Sequence, residues 1–337
     1  MDNGNPPPSL VELPVTDHHA HFVPRSYCDA AAMIAPGDPW HAVASSFLAR
    51  FGRGGSAPAA ISSLESRVEI LDRADVRTQV LSLGASSIWH QSEETQRRLA
   101  SAFNEGVLNA VSGYPGRFAL FASLPLPHVG RAIEESAALS KVAGVAGFGI
   151  TAHPAGRPLD DPMWLPLIEC WSDLQATVFV HPDPPGSDLL WGPYWLRWGV
   201  GALVEDALAT VRLVASGVLT GYPGIRWIVP HAGGGVALML RRLDAMWAAG
   251  RLPAALSKPP SEALDGIHFD TAMTDPAAIA AAANALTAGR LVFGSDYPLG
   301  GSPEISDTVA AVISAVGQPA ASEILARDIR GFARVQM

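Results

Sequence analysis

The stretch "LPVTDHHAH" (residues 13–21) sets the fold prediction, because it joins a short β-prone run to a cluster of histidines. Seven further β-prone runs follow, separated by Ala-, Leu-, Glu- and Arg-rich segments with helical spacing. They are "TQVLSLG" (78–84), "RFALFASLP" (117–125), "GVAGFGIT" (144–151), "ATVFVHP" (176–182), "IRWIVPHAG" (225–233), "GIHFDTAM" (266–273) and "RLVFGSDYP" (290–298). Eight strands alternating with helices predict parallel βαβ units and, at this length, a closed (β/α)₈ TIM barrel. An open doubly wound sheet is the alternative.

Composition excludes several classes of protein. The chain has 337 residues, a formal net charge of −9 and 48% hydrophobic residues. The negative charge argues against a nucleic-acid partner, which favours a basic face. No stretch approaches the roughly 20 apolar residues of a membrane helix. Cys28 and Cys170 are too few for a disulfide framework, and "MDNGNPPPSL" does not resemble a secretion signal, so we expect a cytoplasmic protein with reduced thiols.

We expect one barrel domain over residues 13–335, preceded by a flexible tail over residues 1–12. Two long stretches, 27–60 and 183–200, fit neither the strand nor the helix pattern and are predicted to be inserted lid loops after the first and fifth strands. The second stretch is dense in tryptophan, which favours an ordered lid or a subunit contact over a linker: Trp191, Trp195 and Trp198.

The first strand carries a candidate pair of metal ligands. Side chains alternate faces along a strand, so His19 and His21 point the same way, Asp17 shares their side and His18 points away. Neutral imidazoles two residues apart suit a divalent metal such as zinc. Taken by itself, the motif is equally compatible with a polar turn that contains incidental histidines. Asp17 is interpreted as a residue that orients one of the imidazoles.

Other strand ends strengthen the metal hypothesis. His181 closes the apolar run "VFVHP" and Asp296 closes "LVFGSDYP", where an unpaired imidazole or carboxylate would be costly. The carboxyl ends of barrel strands meet at one mouth, so these two residues would join His19 and His21 there. Such a mixed nitrogen and oxygen set leaves a position open, as catalytic metal sites do. His231, in "PHAGGG", suits proton transfer, with a fifth ligand or a supporting role as alternatives.

The order "D-x-H-x-H", "VFVHP", "IVPHAGG", "FGSDYP" resembles the amidohydrolase superfamily. More narrowly, it resembles the decarboxylase branch, which includes aminocarboxymuconate semialdehyde, γ-resorcylate and 6-methylsalicylate decarboxylases. "GRFALFASLPLP" (116–127) and "SGVLTGYPGIRWIVPHAGG" (216–234) resemble the last of these in particular. The resemblance extends from about residue 14 to residue 333.

The resemblance implies one divalent metal, with zinc expected and manganese as the alternative, and no carbamylated lysine. It implies four metal ligands, His19, His21, His181 and Asp296. It also makes His231 the acid/base or substrate-orienting residue. Asp296 is a second candidate for proton delivery, and the sequence does not decide between the two. Members of the branch commonly form homodimers, so a homodimer is expected.

One motif departs from the family pattern. Where relatives have a Thr-Asn pair after the fourth strand, this chain reads "ITAHPAGRPLDDP", so His153 stands at the asparagine position. His153 is a candidate substrate contact, with a histidine that caps a turn as the alternative. Arg157, Arg25 and Arg197 are competing candidates for a carboxylate clamp. The tryptophans of the second insertion, Trp191 and Trp195 among them, are candidates for an apolar roof.

The resulting hypothesis is a metal-dependent, non-oxidative decarboxylase. Its expected substrate is a small aromatic acid of the salicylate type, or a related unsaturated carboxylic acid. A metal-dependent hydrolase or hydratase that acts on a lactone, amide or C–C bond is the enzymatic alternative. A barrel that keeps the metal only for stability or for a binding role is the third hypothesis.

Overall fold

The fold is described from a computed structural model of the chain. It covers residues 14–84, 87–183, 193–253, 256–273, 275–300 and 304–331. The predicted tail over residues 1–12 and half of the second insertion, residues 184–192 with Trp191 among them, lie outside the described residues.

Eight parallel strands form a single sheet in which each strand pairs with the next along the chain. The strands are β1 (Val15–His21), β2 (Val76–Ser82), β3 (Phe118–Ala122), β4 (Val145–Thr151), β5 (Thr177–His181), β6 (Arg226–Val229), β7 (Ile267–Asp270) and β8 (Leu291–Val292). The residues after β8 return to β1, where the backbone N–H of His18 donates to Phe293 and that of His21 donates to Tyr297. The predicted (β/α)₈ barrel is therefore confirmed.

Twelve α-helices occur in the described part of the chain. They are α1 (Arg25–Ala32), α2 (His41–Phe51), α3 (Glu65–Arg73), α4 (Glu93–Val111), α5 (Val129–Leu139), α6 (Leu165–Asp173), α7 (Ala202–Ala215), α8 (Val218–Gly221), α9 (Leu240–Ala248), α10 (Pro276–Leu286), α11 (Ile305–Val316) and α12 (Gln318–Ala326). Within the described ranges, no helix is both long and apolar enough to cross a membrane.

Apolar side chains fill the interior of the barrel. Phe121 of β3 and Phe179 of β5 stack with ring centroids 5.4 Å apart, and both are fully buried. The inner cluster is Val80, Ala119, Phe121, Ala146, Phe179, Ile228, Val292 and Ile329. His19 lies against Phe179, with 4.9 Å between the ring centroids. The packed interior therefore supports the polar residues at the carboxyl ends of the strands.

The first insertion is helical rather than a loop. Residues 27–60 include most of α1 and all of α2, and an adjoining 3₁₀ turn begins at Ala59. Tyr27 packs against Phe47 of α2 and Phe103 of α4, with ring centroids 5.2 and 6.2 Å apart. The Gly- and Pro-rich composition hid these helices from the sequence pattern, since tertiary packing of the aromatic side chains stabilises them.

A fully buried arginine ties the first insertion to the barrel. Arg67 of α3 donates to the backbone carbonyls of His21 and Ala60 at 2.8 and 2.7 Å, and to Gln79 Oε1 at 2.8 Å. Gln79 Nε2 in turn donates to Asp17 Oδ2 at 2.7 Å. Burial lowers the pKa of Arg67 to about 10, so its guanidinium remains charged at neutral pH.

Replacing Arg67 by methionine is expected to destabilise the protein by about 3–5 kcal/mol, because two buried acceptors and one partly buried acceptor lose their donor and Asp17 loses the nearby positive charge. Urea unfolding followed by circular dichroism measures the change. Arg73→Met on the same helix is the control: Arg73 pairs with Glu304 at the surface, where an ion pair contributes at most about 1 kcal/mol. Equal unfolding midpoints for the two variants would contradict the assigned role of Arg67.

Candidate active site

Four side chains converge at the carboxyl ends of β1, β5 and β8. His19 Nε2 and His21 Nε2 are 3.2 Å apart, and Asp296 Oδ1 lies 3.2 and 2.9 Å from them. His181 completes the group, and the four candidate ligand atoms all lie within 4.8 Å of one another. The structure thus brings together all four side chains that were predicted from the sequence as metal ligands.

The chemistry of this donor set fits a divalent cation. His19 Nδ1 lies 2.8 Å from Asp270 Oδ2 and His181 Nδ1 lies 2.7 Å from the carbonyl of Pro182, so both rings carry their proton on Nδ1 and turn an Nε2 lone pair inward. Converging lone pairs repel one another unless a cation lies between them. Ligand atoms on a metal with bonds of 2.0–2.1 Å lie roughly 3.3 Å apart, close to the 2.9–3.2 Å spacings among His19, His21 and Asp296. The group is therefore a site for a divalent metal.

Burial and neighbouring charges shift the pKa values of the candidate ligands in different directions. Burial lowers the pKa of His181 well below its ordinary value, and its histidine neighbours lower it further, which keeps this imidazole neutral. Burial also opposes charge on His19, but the carboxylates of Asp270 and Asp296 raise the pKa of His19 to about 9. A bound cation would compete with that proton. Burial disfavours the Asp296 carboxylate, yet the surrounding imidazoles hold its pKa well below the usual range.

Asp270, at the end of β7, is a site residue that the sequence reasoning missed. Its Oδ2 accepts from His19 Nδ1, and its Oδ1 accepts from the backbone N–H groups of His231 and Ala272 at 2.8 and 2.9 Å. The carboxylate is fully buried and orients one metal ligand and one candidate acid/base residue. Its position at the end of "IHFD" matches the pattern of the other strand ends, so that signal was present in the sequence.

Replacing Asp270 by asparagine is expected to weaken metal binding about 10–100-fold. One oxygen faces the His19 ring N–H and the other faces two backbone N–H groups, so the amide NH₂ opposes a donor in either orientation. Competition with a metal-binding dye measures the affinity, and Asp265→Asn, an exposed partner of Lys258 and Arg290, is the control. Unchanged affinity in the Asp270 variant would show that this contact does not support the metal.

The predicted role of Asp17 requires a correction. Its carboxylate accepts from the backbone N–H of His19 at 3.1 Å, from Gln79, and from the backbone and side chain of Ser295 at 3.0 and 2.6 Å. Among the described residues it bonds to no imidazole. A register irregularity of β1 between Asp17 and Ala20 disturbs the expected alternation of side chains. Asp17 therefore fastens β1 to β2 and to the segment after β8, and Asp270 orients the imidazole of His19.

His231 begins an unusual backbone segment after β6. Five consecutive residues, His231 to Gly235, have positive φ, from 51° at His231 to 82° at Gly235. A Cβ on Gly234 would lie 1.8 Å from the carbonyl oxygen of Leu203 on α7, so the close approach of this segment to α7 requires glycine there. Asp296 also has positive φ, at 56°. Left-handed conformations at non-glycine residues often accompany functional sites.

The side chain of His231 faces the metal ligands. Its Nδ1 lies 2.9 Å from Asp206 Oδ2 on α7, and its Nε2 lies 3.8 Å from Asp296 Oδ2. Burial opposes a charge on His231, but these two carboxylates hold its pKa well above the ordinary value. Burial raises the pKa of Asp206 to about 7. Asp206 was not predicted, because one acidic residue within an amphipathic helix gives no sequence signal.

A cavity of about 210 Å³ opens beside these residues. Its polar wall includes His21, His181, His231 and Asp296. The remaining lining residues come mainly from the two insertions and the segments that flank them: Arg50, Phe51, Pro182, Trp195, Trp198, Ala202 and Leu299. The volume suits a single-ring molecule.

Arg50 is the cation of this cavity. It lies at the end of α2, half-buried, with its guanidinium carbon 5.1 and 5.8 Å from the ring centroids of Phe51 and Trp198. It forms no ion pair with any of the described residues. Arg50 was not predicted, because nothing in the sequence of the first insertion indicates which arginine turns inward.

The predicted arginine clamps lie elsewhere. Arg25 pairs with Asp29 at 2.9 Å, and Arg157 pairs with Asp161 at 2.8 Å; both arginine side chains are more than half exposed. Each therefore forms an ordinary ion pair within its own segment and does not line the cavity. Arg197 contacts Asp183 at 3.1 Å.

Two other predicted substrate contacts, Trp195 and His153, lie in different places relative to the cavity. Trp195 lines the cavity although 74% of it is exposed. His153 does not line the cavity; its Nδ1 lies 2.7 Å from Glu205 Oε1 on α7. The structure therefore places Trp195 where a substrate would lie, and gives His153 a protein partner instead.

The sequence model of the amidohydrolase family matches residues 16–326, nearly the whole chain. The chain belongs to this family. The candidate site of this amidohydrolase contains residues of the four motifs that resemble the family: "D-x-H-x-H", "VFVHP", "IVPHAGG" and "FGSDYP".

Similar proteins share most of this amidohydrolase's length. The 2-amino-3-carboxymuconate-6-semialdehyde decarboxylase of Dictyostelium discoideum is 30% identical over 69% of this chain and 66% of its own length. The 6-methylsalicylic acid decarboxylase of Penicillium expansum is 27% identical over 70% of this chain and 75% of its own length. A dihydroxybenzoic acid decarboxylase from Polaromonas sp. JS666, solved with manganese and 2-nitroresorcinol, superposes with a TM-score of 0.74 at 20% identity, over 93% of this chain and 94% of that one.

Proposed function

We propose that this amidohydrolase is a metal-dependent, non-oxidative decarboxylase of a small aromatic acid of the salicylate type, or of a related unsaturated carboxylic acid. The observation that carries the proposal is the composition of the cavity. The cavity is lined by three of the proposed metal ligands and His231, together with aromatic rings and an arginine that forms no ion pair with the described residues. The decarboxylase activities named for the two relatives support the same reaction.

We propose zinc as the metal, with manganese as the alternative, held by His19, His21, His181 and Asp296. A divalent metal held there would supply a Lewis acid for the oxygen atoms of the substrate. The three imidazoles and one carboxylate suit zinc. Manganese occurs in the Polaromonas structure.

The protein groups of the cavity would bind and orient the acid. Arg50 offers a planar cation to an anionic substituent. Phe51 and Trp198 offer aromatic faces for the ring and exclude water. These contacts would turn the scissile carboxylate towards the ligand wall.

The reaction also requires a proton at the carbon that loses the carboxylate. As the C–C bond breaks, CO₂ leaves and the electron pair remains on the ring carbon, which takes one proton to give the arene. His231 Nε2 is available for that proton, because Nδ1 is engaged by Asp206. Asp296 Oδ2, 3.8 Å from Nε2, would share the proton or return it.

The test is an assay of the metal-loaded protein on a panel of hydroxybenzoates and unsaturated acids, together with lactones and amides. We expect release of one CO₂ per acid consumed, and loss of the ultraviolet absorbance of the acid. Acid formation from a lactone or amide without CO₂ from any acid would favour the hydrolase alternative. Full activity of the His181→Ala variant would reject metal-dependent catalysis.

We propose a homodimer formed through the apolar face of α7 and the segment that follows β6. Val204 and Leu208 are one helical turn apart on α7 and are 42% and 55% exposed. The segment His231–Leu238 packs against α7, and Leu238 is 84% exposed. Clustered exposed apolar side chains mark interaction surfaces. Light scattering of the parent protein should give twice the mass of one chain. The double variant Leu208→Asp, Leu238→Asp should have the mass of one chain. A monomeric parent protein would reject the dimer.

We also propose a cytoplasmic location. Both cysteines are free: Cys28 is buried and Cys170 is partly buried. Free thiols accord with a reducing compartment. A fusion to a fluorescent protein, followed by microscopy and cell fractionation, tests the location.

A further inference from the structure

A buried carboxylate outside the metal site joins three elements of the barrel. Glu205 of α7 is 7% exposed, and its Oε1 lies 2.7 Å from His153 Nδ1. Its Oε2 accepts the backbone N–H of Asp183. His153 follows β4 and Asp183 follows β5, which are neighbouring strands. One side chain therefore links α7 to the ends of two strands.

The contacts continue from Glu205 to the aromatic wall of the cavity. Asp183 Oδ1 accepts from Arg197 Nη2 at 3.1 Å. The guanidinium carbon of Arg197 lies 5.5 Å from the ring centroid of Trp198, within the range of a cation–π contact. Trp198 lines the cavity. The path therefore runs from Glu205 through Asp183 and Arg197 to a residue that would touch the substrate.

Each member of this path is held by its partner. Glu205 and Asp183 are mostly buried, and a carboxylate in such surroundings is costly unless it is paired. Arg197 is 37% exposed, so water could solvate its guanidinium in other positions. Its place beside Trp198 therefore depends on the ion pair with Asp183. Glu205, Asp183 and Arg197 are not among the described residues that line the cavity. Their effect on a ligand would therefore be indirect, through Trp198.

We propose that Glu205, together with His153, is a positioning residue that fixes Asp183, Arg197 and hence Trp198 at the cavity wall. It determines how tightly the cavity holds an aromatic ring, and leaves the metal site unaffected. The histidine at position 153, where the family pattern has asparagine, gives Glu205 a partner. The inference rests on the proposed function only for the class of ligand.

The experiment compares Glu205→Ala and Glu205→Gln in the metal-loaded protein, with salicylate as the probe. For Glu205→Ala we expect the Kd for salicylate to rise about tenfold, equivalent to about 1.4 kcal/mol, with metal content unchanged. Glutamine retains an oxygen that accepts the Asp183 N–H, so Glu205→Gln should keep the Kd within about threefold of the parent. Arg157→Ala, which breaks an exposed ion pair outside the cavity, is the control.

A second readout follows Trp198 without a ligand. Acrylamide quenching of each protein and of its Trp198→Phe counterpart isolates the contribution of Trp198, which should become more accessible in Glu205→Ala. If Glu205→Ala does not fold, Arg197→Met breaks only the last ionic link and should show the same two changes. Unchanged Kd and unchanged Trp198 quenching in the folded variant would overturn the inference.

The two proposals fail separately. If the parent binds salicylate but decarboxylates no acid, the proposed function fails, and the variants still decide the role of Glu205. If the parent binds no salicylate, the quenching of Trp198 still decides whether Glu205 has the positioning role. If the parent is an active decarboxylase whose KM is the same in Glu205→Ala, and the quenching is also unchanged, the positioning role fails and the proposed function stands.

Discussion

Replacing Asp296 by alanine is expected to remove bound metal and turnover together. Asp296 Oδ1 lies 2.9 and 3.2 Å from two ligand nitrogens, so its loss leaves three neutral imidazoles and removes the only anionic ligand among the four. The same change deprives His231 of a carboxylate neighbour. Because a metal contributes several kcal/mol to stabilising the transition state, we expect turnover to fall at least about 10³-fold.

Elemental analysis of the purified variant measures the metal, and the decarboxylation assay measures the turnover. Asp72→Ala, which removes an exposed partner of Arg117, controls for loss of a carboxylate in general. One metal per chain in the Asp296 variant would show that this residue is not a ligand. Unchanged turnover would show in addition that it takes no part in the chemistry.

Replacing His231 by asparagine is expected to abolish most turnover while the metal stays bound. His231 has a φ of 51°, and asparagine tolerates this left-handed conformation better than most residues, so the backbone should keep its course. The variant loses the ring nitrogen that faces Asp296. General acid–base catalysis contributes about 10²–10⁴-fold, and we expect a loss of that size.

Metal content and kcat of the His231 variant are measured together with those of Asp206→Asn. The latter keeps the imidazole but removes the charge that faces its Nδ1, so its loss should be smaller. Loss of metal from the His231 variant would assign this residue to the ligand set. Equal kcat in parent and variant would leave Asp296 as the proton donor.

The fold was predictable because each strand carries its own local signal. Seven of the eight β-prone runs contain their strands, and the run 78–84 overlaps β2, which begins earlier, at Val76. β8 is reduced to Leu291–Val292, and the chain after it pairs with β1 through isolated hydrogen bonds. The first insertion was not predictable as helices. Its order arises from contacts such as Tyr27 with Phe103, which join residues distant in sequence.

The site was predictable where strand position fixes the side chain. The histidines and Asp296 lie at strand ends, and a barrel brings these ends together whatever lies between them. Asp206 and Arg50 escaped prediction, since a helix face or an insertion gives no indication of which polar residue turns inward. Asp17 was misassigned because strand parity ignores a register irregularity.

Arg50 and Phe51 at the end of α2 line the cavity from a different part of the chain than the candidate metal ligands. In the proposed function the strand ends would supply the reactive groups, and the inserted helix would contact the ring of the substrate. Chain segments that carry no catalytic group can change without loss of chemistry. Grafting residues 27–60 from another family member should therefore alter which acids are accepted while the metal stays in place, so that the substrate range of this scaffold can diversify without rebuilding its chemistry.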